Sequence, residues 1–314
     1  RHQAKTGAAT TEDNIAVMAG AQCGLFVSAL CLLAPGDEVI VPEPMYVTYE
    51  ATLQAPGARI VRVAQRPENG FHLNPDDIAK AITPRTRAIY FATPCNPTGA
   101  MIPRASLERV AELAKKHDLW VVSDEVYATL TFGQEHVSIG GLPGMADRTV
   151  TISSLSKSHA MTGWRMGWVV APTAFIDNVH NLSMAMLYGL PTFLQRGALV
   201  AMEEDLAEVE TMRATYQRRR DIAATRLNQI PGLRCLTPDA GMFMMLDVRG
   251  TGLSAGEFSN RLYEAEGVAV LDATAFGPSA AGHVRMSFVA DDASLEEACR
   301  RIAAFTRSLP DIAA

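Results

Sequence analysis

The sequence predicts an α/β fold with a mainly parallel sheet, followed by a smaller α+β segment. Short apolar strands alternate with amphipathic helices along the first part of the chain, which is the pattern of successive βαβ units. Three polar residues, Asn96, Asp124 and Lys157, come directly after such strands. Because ligands of open α/β sheets bind outside the carboxyl ends of the strands, these side chains are expected to share one site.

The elements follow from apolar runs and from the Pro and Gly residues that interrupt them. An amphipathic helix, for example, is indicated by Leu107, Val110, Leu113 and Ala114, which recur at helical spacing. The first part of the chain predicts strands within 36–42 and at 59–63, 88–92, 119–122, 149–152 and 168–170, and helices at 23–33, 45–53, 74–82 and 103–117.

The second part begins with a long helix that starts near residue 203 and runs to 227. Its arginine triplet, 218–220, follows an acidic stretch, which favours a solvated helix face over a nucleic-acid contact. Beyond it the patterns predict strands at 242–248, 268–271 and 283–288 and helices at 255–266 and 294–305. We therefore expect a large cofactor-binding domain over 1–205, and a linking helix with a small C-terminal domain over 206–314.

Composition restricts the function classes. The chain has 314 residues, 48% of them hydrophobic, and a net charge of −6, so nothing points to nucleic acid or an anionic membrane as the main partner. Its five cysteines are scattered without a pairing pattern, which predicts reduced thiols and a cytoplasmic location. No apolar run reaches transmembrane length. Because the sequence opens on Arg1 without an initiator Met, an N-terminal segment is expected to be missing.

Lys157 is the residue expected to carry the chemistry. It lies among serines and apolar residues, eight positions before Arg165. A lysine that is desolvated or close to another cation becomes a usable nucleophile and can form a Schiff base with an aldehyde. A lysine-linked pyridine aldehyde is one cofactor to which such a lysine could be joined.

Such a cofactor needs further partners, and the sequence offers candidates for each. Asp124 suits the ring nitrogen; Tyr127 and Asn96 suit the ring oxygen; Tyr46 suits the ring face; and Ser154, Ser156, Arg165, Gly20 and the backbone of Ala21 and Gln22 suit the phosphate. Arg285, in an otherwise apolar strand, suits a substrate carboxylate.

Each candidate also has a purely structural interpretation. Asp124 could cap a helix, Asn96 could be a turn residue, and Gly20 could mark tight packing. The tyrosines could be core residues. His159, next to this group in sequence, is interpreted as a packing or orienting histidine rather than as a proton shuttle.

The ordered set of motifs resembles the class I aminotransferases, which are pyridoxal-phosphate enzymes of fold type I. The resemblance spans the whole chain, and its motifs are Asn96-Pro97-Thr98-Gly99, Ser123-Asp124-Glu125-Val126-Tyr127, Ser154-Leu155-Ser156-Lys157, Gly163-Trp164-Arg165-Met166-Gly167 and Val284-Arg285. It implies a three-layer large domain with a mainly parallel seven-stranded sheet, and a homodimer. It also implies that Lys157, Asp124 and Tyr127 are catalytic, that Arg285 and Asn96 bind substrate, and that no metal takes part.

The substrate remains open at this stage. The stretches 36–41, 43–50, 142–149, 156–161 and 275–283 are similar to the arginine–pyruvate transaminases, but they are mostly scaffold features and indicate kinship rather than substrate. The expected reaction moves the amino group of arginine, or of another basic or small amino acid, to a 2-oxo acid such as pyruvate. Many aspartate aminotransferases carry an arginine near the place where this chain has Met184-Ala185-Met186, which weakens a dicarboxylate assignment. Because one fold serves many functions, a β-lyase and an aminotransferase-like domain of a transcription regulator also remain possible.

Overall fold

The computed structural model describes residues 6–204 and 206–310. Two expectations fall outside this range, namely what precedes Arg1 and the domain boundary at Asp205. Within the described residues the chain forms one sheet of seven strands and one of four.

The larger sheet is mainly parallel, as predicted. Its strands are β1 (Ile15–Ala19), β2 (Glu38–Glu43), β3 (Arg59–Ala64), β4 (Thr86–Ala92), β5 (Trp120–Asp124), β6 (Thr149–Ser154) and β7 (Met166–Val170). Their order is β1-β7-β6-β5-β4-β2-β3, and β7 pairs antiparallel with both β1 and β6, whereas the other described pairs in this sheet are parallel. Consequently the carboxyl ends of β2, β4, β5 and β6 lie along one edge of the sheet.

Helices cover the sheets and connect the strands. The helices are α1 (Ala21–Leu32), α2 (Tyr49–Gln54), α3 (Pro75–Ala81), α4 (Arg104–Lys116), α5 (Leu155–Ser158), α6 (Thr173–Met186), α7 (Thr192–Glu203), α8 (Ala207–Leu227), α9 (Ala255–Glu266) and α10 (Asp292–Ser308). Within the described ranges, none of them combines the length and apolarity needed to cross a bilayer.

Both faces of the larger sheet are buried, which gives the predicted three layers. Val39, Ile40 and Val41 on β2 are each fully buried although they are consecutive. Val39 and Val41 belong to the core beneath α1, whereas Ile40 packs in the core beneath α4. A continuous apolar run of this kind is typical of a parallel strand covered on both faces.

The smaller sheet is antiparallel and alternates its faces. It comprises β8 (Arg234–Leu236), β9 (Phe243–Asp247), β10 (Leu271–Asp272) and β11 (His283–Ser287), in the order β10-β11-β9-β8. Val284 packs into the core formed with α9 and α10. Since successive side chains of a strand point to opposite faces, Arg285 faces the larger sheet instead, where it reaches Asn96.

Several local predictions were wrong or incomplete. The helix predicted over 45–53 begins only at Tyr49; a turn at 47–48 precedes it, and the Met45 N–H is bonded to the Phe276 carbonyl. Of the strand predicted over 268–271, only Leu271 pairs with β11, and the strand continues to Asp272. The long helix begins at Ala207, and a separate helix, α7, ends at Glu203. Strands β1 and β8 and helices α6 and α7 were not predicted.

Candidate active site

A cavity of about 560 Å³ opens where β4, β5 and β6 end. It lies between the two sheets, since residues from both contribute to its wall. The wall includes every predicted site residue except Gly20: Ala21, Gln22, Tyr46, Asn96, Asp124, Tyr127, Ser154, Ser156, Lys157, Arg165 and Arg285. Gly20 itself lies against the Arg165 side chain.

Asp124 is a buried carboxyl group at the end of β5. Its Oδ2 accepts a 2.7 Å hydrogen bond from the Tyr49 hydroxyl, and its Oδ1 accepts one of 3.2 Å from the Val126 N–H. Burial raises the pKa of Asp124 to about 6, while the bonds from Tyr49 and Val126 lower it. The carboxyl group is therefore ionised at neutral pH, but its charge is poorly solvated, and a buried cation beside it would strongly stabilise the ionised form.

Tyr49 was missed by the sequence analysis. It lies at the start of α2, is fully buried, and packs edge-on against Tyr46 with ring centroids 5.8 Å apart. Burial and the nearby Asp124 raise its pKa well above the usual value, so its hydroxyl remains a donor. The spacing of three residues between Tyr46 and Tyr49 is a local signal for the contact between the two rings, but not for the bond to Asp124.

Lys157 lies in α5, the short helix that directly follows β6. Its side chain is half-buried, and desolvation lowers the pKa of its ammonium group, with a further contribution from the positive charge of Arg165. A lowered pKa increases the fraction of free amine near neutral pH. These are the conditions that make a lysine a nucleophile and a base.

Arg165 and the start of α1 form a cup for an anion. Arg165 adopts the left-handed conformation with φ 50°, and its guanidinium donates to the carbonyls of Thr162 (2.9 Å) and Ala19 (3.3 Å). Gly20, at φ 81°, has no Cβ, and a Cβ there would collide with this guanidinium. Ser154 and Ser156 line the same cavity as Arg165. Free N–H groups at a helix start, hydroxyls and a guanidinium are the donors that suit a phosphate.

The side chain of Gln22 connects two helices beside the cavity. Its side-chain carbonyl accepts a 2.7 Å bond from the Thr48 hydroxyl, and its amide donates to Thr52 at 3.0 Å. These bonds tie the start of α1 to α2, which carries Tyr49. The position of the cup is thereby linked to the position of Tyr49, which contacts Asp124.

Arg285 lies against two aromatic rings, which together are called the Arg285 clamp. Its guanidinium carbon lies 4.0 Å from the ring centroid of Phe243 and 4.9 Å from that of Phe276, and Nη1 donates to Oδ1 of Asn96 at 2.9 Å. Desolvation lowers its pKa, and Tyr127 and Tyr46 partly offset this. A stacked guanidinium with free N–H groups is suited to bidentate carboxylate binding. Neither phenylalanine was identified from the sequence.

Tyr127 and His159 complete the predicted set. Tyr127 is buried, and its burial, with Asp124 nearby, raises the pKa of its hydroxyl far above the ordinary value, which keeps it protonated. His159 lies 2.7 Å from the Ser158 hydroxyl through Nδ1 and is not among the residues that line this cavity. This position agrees with the interpretation of His159 as an orienting residue.

The cavity wall contains three basic side chains and one buried acidic side chain. Lys157, Arg165 and Arg285 are cationic groups in its wall, and Asp124 is a buried acid among them. Guanidinium groups suit phosphate and carboxylate ligands, and an amine of lowered pKa suits covalent bonding and proton transfer.

Comparison with known proteins identifies close relatives. Residues 2–302 match the family described as aminotransferase class I and II. The arginine–pyruvate transaminase of Pseudomonas aeruginosa is 56% identical over 303 residues, which cover 96% of this chain and 77% of the relative. The aspartate aminotransferase of Pyrococcus abyssi is 36% identical over 297 residues, or 94% and 76% of the two chains.

Solved structures agree with this result. The aromatic aminotransferase from Pyrococcus horikoshii OT3 superposes with a TM-score of 0.94 at 35% identity, over 97% of this chain and 82% of that one. The aspartate aminotransferase from Thermus thermophilus with maleate superposes with a TM-score of 0.91 at 35% identity, over 96% and 78%.

Proposed function

Since the chain belongs to the class I and II aminotransferases, we propose that it moves the amino group of a basic L-amino acid, arginine first, to pyruvate, with pyridoxal 5′-phosphate as cofactor. The observation that carries the proposal is the arrangement around one cavity of an amine with a lowered pKa, a buried carboxyl group and two guanidinium groups. The arginine preference is supported by the 56% identity to an arginine–pyruvate transaminase.

The residues present fit pyridoxal phosphate. The cup at Gly20 accepts a phosphate because the absent Cβ leaves room for the Arg165 guanidinium. The buried Asp124 fits a protonated ring nitrogen, since a cation there would relieve the cost of its desolvated charge. When bound, pyridoxal phosphate supplies an electron sink for the negative charge that develops at the substrate Cα.

The protein residues do the remaining work. In the first half-reaction Nζ of Lys157 takes the proton from Cα of the amino donor, and in the second it delivers a proton to Cα of the new amino acid. A free amine of lowered pKa can do both near neutral pH. Arg285 holds the α-carboxylate, and the rings of Phe243 and Phe276 restrict the orientation of its guanidinium. The Tyr127 hydroxyl and the Asn96 amide, both in the cavity wall, would hold the ring oxygen of the cofactor, as the family resemblance implies.

A ping-pong sequence follows from this single site. The amino acid leaves as a 2-oxo acid before pyruvate enters, and both carboxylates use Arg285 in turn. An aspartate-type transaminase remains the competing candidate, because relatives of that name are 34–36% identical. Met184 and Met186, where many such enzymes carry an arginine, are exposed and argue against a dicarboxylate.

A donor panel tests the substrate proposal. Full-length protein with pyridoxal phosphate is mixed with arginine, lysine, aspartate or alanine, each with pyruvate or 2-oxoglutarate as acceptor. We expect the highest kcat/KM with arginine and pyruvate. A higher value with aspartate and 2-oxoglutarate would overturn the donor assignment, and ammonia released without an acceptor would indicate a lyase.

We also infer that the enzyme is a homodimer of the cytoplasm. The location is supported by the five cysteines, all of which are free thiols. The dimer is supported by apolar side chains that are exposed on α6, α7 and the turn between them: Met186, Leu187, Tyr188, Phe193 and Leu199. Light scattering on purified protein should give twice the chain mass, and Phe193→Asp should reduce it. A wild-type monomer at micromolar concentration would refute the dimer.

A further inference from the structure

Two segments from different parts of the chain meet beside the cavity. The first is the end of β2 with the residues after it, 43–46, and the second is the turn 276–279 that precedes β11. Oε1 of Glu43 accepts a 3.0 Å hydrogen bond from the Ser279 N–H. The Met45 N–H donates a 2.9 Å bond to the Phe276 carbonyl.

The Glu43 side chain fills the space under this turn. Glu43 is buried, at 4% exposure, which is unusual for a glutamate. Gly277 lies directly over it with φ 130° and ψ 156°, and a Cβ on Gly277 would overlap the Glu43 side chain. Oε2 of Glu43 lies 3.6 Å from Arg62, beyond hydrogen-bond distance, and has no hydrogen-bond partner among the described residues.

Both segments carry residues that face the substrate. The turn carries Phe276, one of the two rings that clamp the Arg285 guanidinium. The segment after β2 carries Tyr46, which lines the same cavity. The position of the Glu43 carboxylate therefore determines where one face of the Arg285 clamp lies.

We propose that Glu43 is a positioning residue for substrate binding: by anchoring the 276–279 turn, it holds Phe276 against Arg285 and so orients the guanidinium for the α-carboxylate. The inference rests on the proposed role of Arg285. Glu43 does not touch substrate, so its removal is expected to weaken carboxylate binding without altering the proton transfer at Lys157.

Kinetics of Glu43→Ala tests this directly. Because both half-reactions use Arg285, KM for the amino donor and KM for the 2-oxo acid are each expected to rise about tenfold, with kcat within about twofold of wild type. Glu43→Gln keeps an acceptor for the Ser279 N–H, so KM is expected to recover to within about twofold. In Gly277→Ala the added Cβ would overlap the Glu43 side chain and disturb the same contact from the turn. This variant should therefore reproduce the KM increase, even if Glu43→Ala folds poorly.

Glu38→Ala is the matched control. Glu38 is also a fully buried glutamate of β2, but it lies at the opposite end of the strand, where it bonds Thr83 and Arg85. Its replacement should lower the melting temperature and leave both KM values unchanged. A general loss of packing in β2 would affect the two variants alike.

Arg285→Lys separates this inference from the proposed function. In that background Glu43→Ala should add less than about twofold to KM, because the clamp has lost its guanidinium. If Arg285→Lys raises KM and Glu43→Ala does not, or if Glu43→Ala adds its full effect to Arg285→Lys, the positioning role is wrong and the enzyme assignment stands. If Arg285→Lys leaves both KM values unchanged, the carboxylate site itself is wrong.

Discussion

Replacing Tyr49 with phenylalanine removes a single hydroxyl from the centre of the site. That hydroxyl donates a 2.7 Å hydrogen bond to Oδ2 of Asp124, and both residues are buried. The ring keeps its edge-on packing against Tyr90, with centroids 4.8 Å apart. Tyr49→Phe therefore tests the hydrogen bond rather than the packing, and the Val126 N–H remains as the other donor to Asp124.

The size of the effect follows from the energy of a charge-assisted bond. A hydrogen bond to an ionised group contributes about 1.5–3 kcal/mol, and one pH unit in a pKa corresponds to about 1.4 kcal/mol. In the folded protein, burial raises the pKa of Asp124 to about 6 against the lowering effect of Tyr49. Without Tyr49 this pKa should rise by about one to two pH units, so that the carboxyl group stays protonated to higher pH.

Cofactor affinity reports the change without any turnover. An ion pair with the ring nitrogen requires ionised Asp124, so Kd for pyridoxal phosphate should rise about tenfold for each pH unit below the pKa of that group. In Tyr49→Phe we expect this rise in Kd to begin at a pH about one to two units higher than in wild type. Tryptophan fluorescence of the apoenzyme, titrated with cofactor at a series of pH values, measures it. The ionisations of the cofactor are the same in both titrations and cancel in the comparison.

Tyr90→Phe serves as the control. Tyr90 is equally buried and adjacent, but its hydroxyl has no hydrogen-bond partner among the described residues. Its replacement should leave the pH dependence of Kd unchanged. If the Tyr49→Phe profile superimposes on that of wild type, the Tyr49 hydroxyl does not set the ionisation of Asp124, and the reasoning is refuted.

Three further predictions concern the same cavity. Lys157→Ala should lose at least about a thousandfold in kcat, because the base is removed, while pyridoxal phosphate still binds reversibly; an unchanged kcat would contradict the mechanism. Gly20→Ala should raise Kd for pyridoxal phosphate about tenfold or more, since the added Cβ displaces the Arg165 guanidinium; equilibrium dialysis measures it. In the apoprotein, burial raises the pKa of Asp124 above its unfolded value, so stability is lost as pH rises towards about 6. Asp124→Asn should abolish this loss and make the apoprotein more stable by about 3 kcal/mol at neutral pH, although inactive. Equal free energies of urea unfolding for the wild-type and variant apoproteins at neutral pH would contradict this prediction.

The sequence allowed the site to be located because parallel strands end along one edge. Asn96, Asp124 and Lys157 each follow a strand, and that position alone predicts that they meet. The Tyr49–Asp124 bond could not be predicted in the same way, because the two residues are 75 positions apart and Tyr49 resembles an ordinary core tyrosine. The same holds for Phe276, which reaches the site through a turn whose contacts with 43–45 come from a distant part of the chain.

Errors in the secondary structure have a comparable origin. The apolar residues of 45–53 suit a helix, but the residues before Tyr49 form a turn and the Met45 N–H is bonded to the distant Phe276 carbonyl. Helices α6 and α7 escaped prediction because apolar residues such as Tyr188 and Phe193, between and within them, remain exposed and blur the one-sided stripe.

The pairing of β1 with β7 has a consequence for how the protein is made. Ile15 pairs with Val170, so an edge strand that leaves the ribosome early has no neighbour until β7 has been synthesised. Helix α1 follows β1 directly, and its first turn carries the backbone donors of the anion cup. The cup therefore closes late in synthesis, after both Lys157 and Arg165 have emerged. Pyridoxal phosphate should bind only chains that have already brought β1 and β7 together, and long-range pairings of this kind are slow to form.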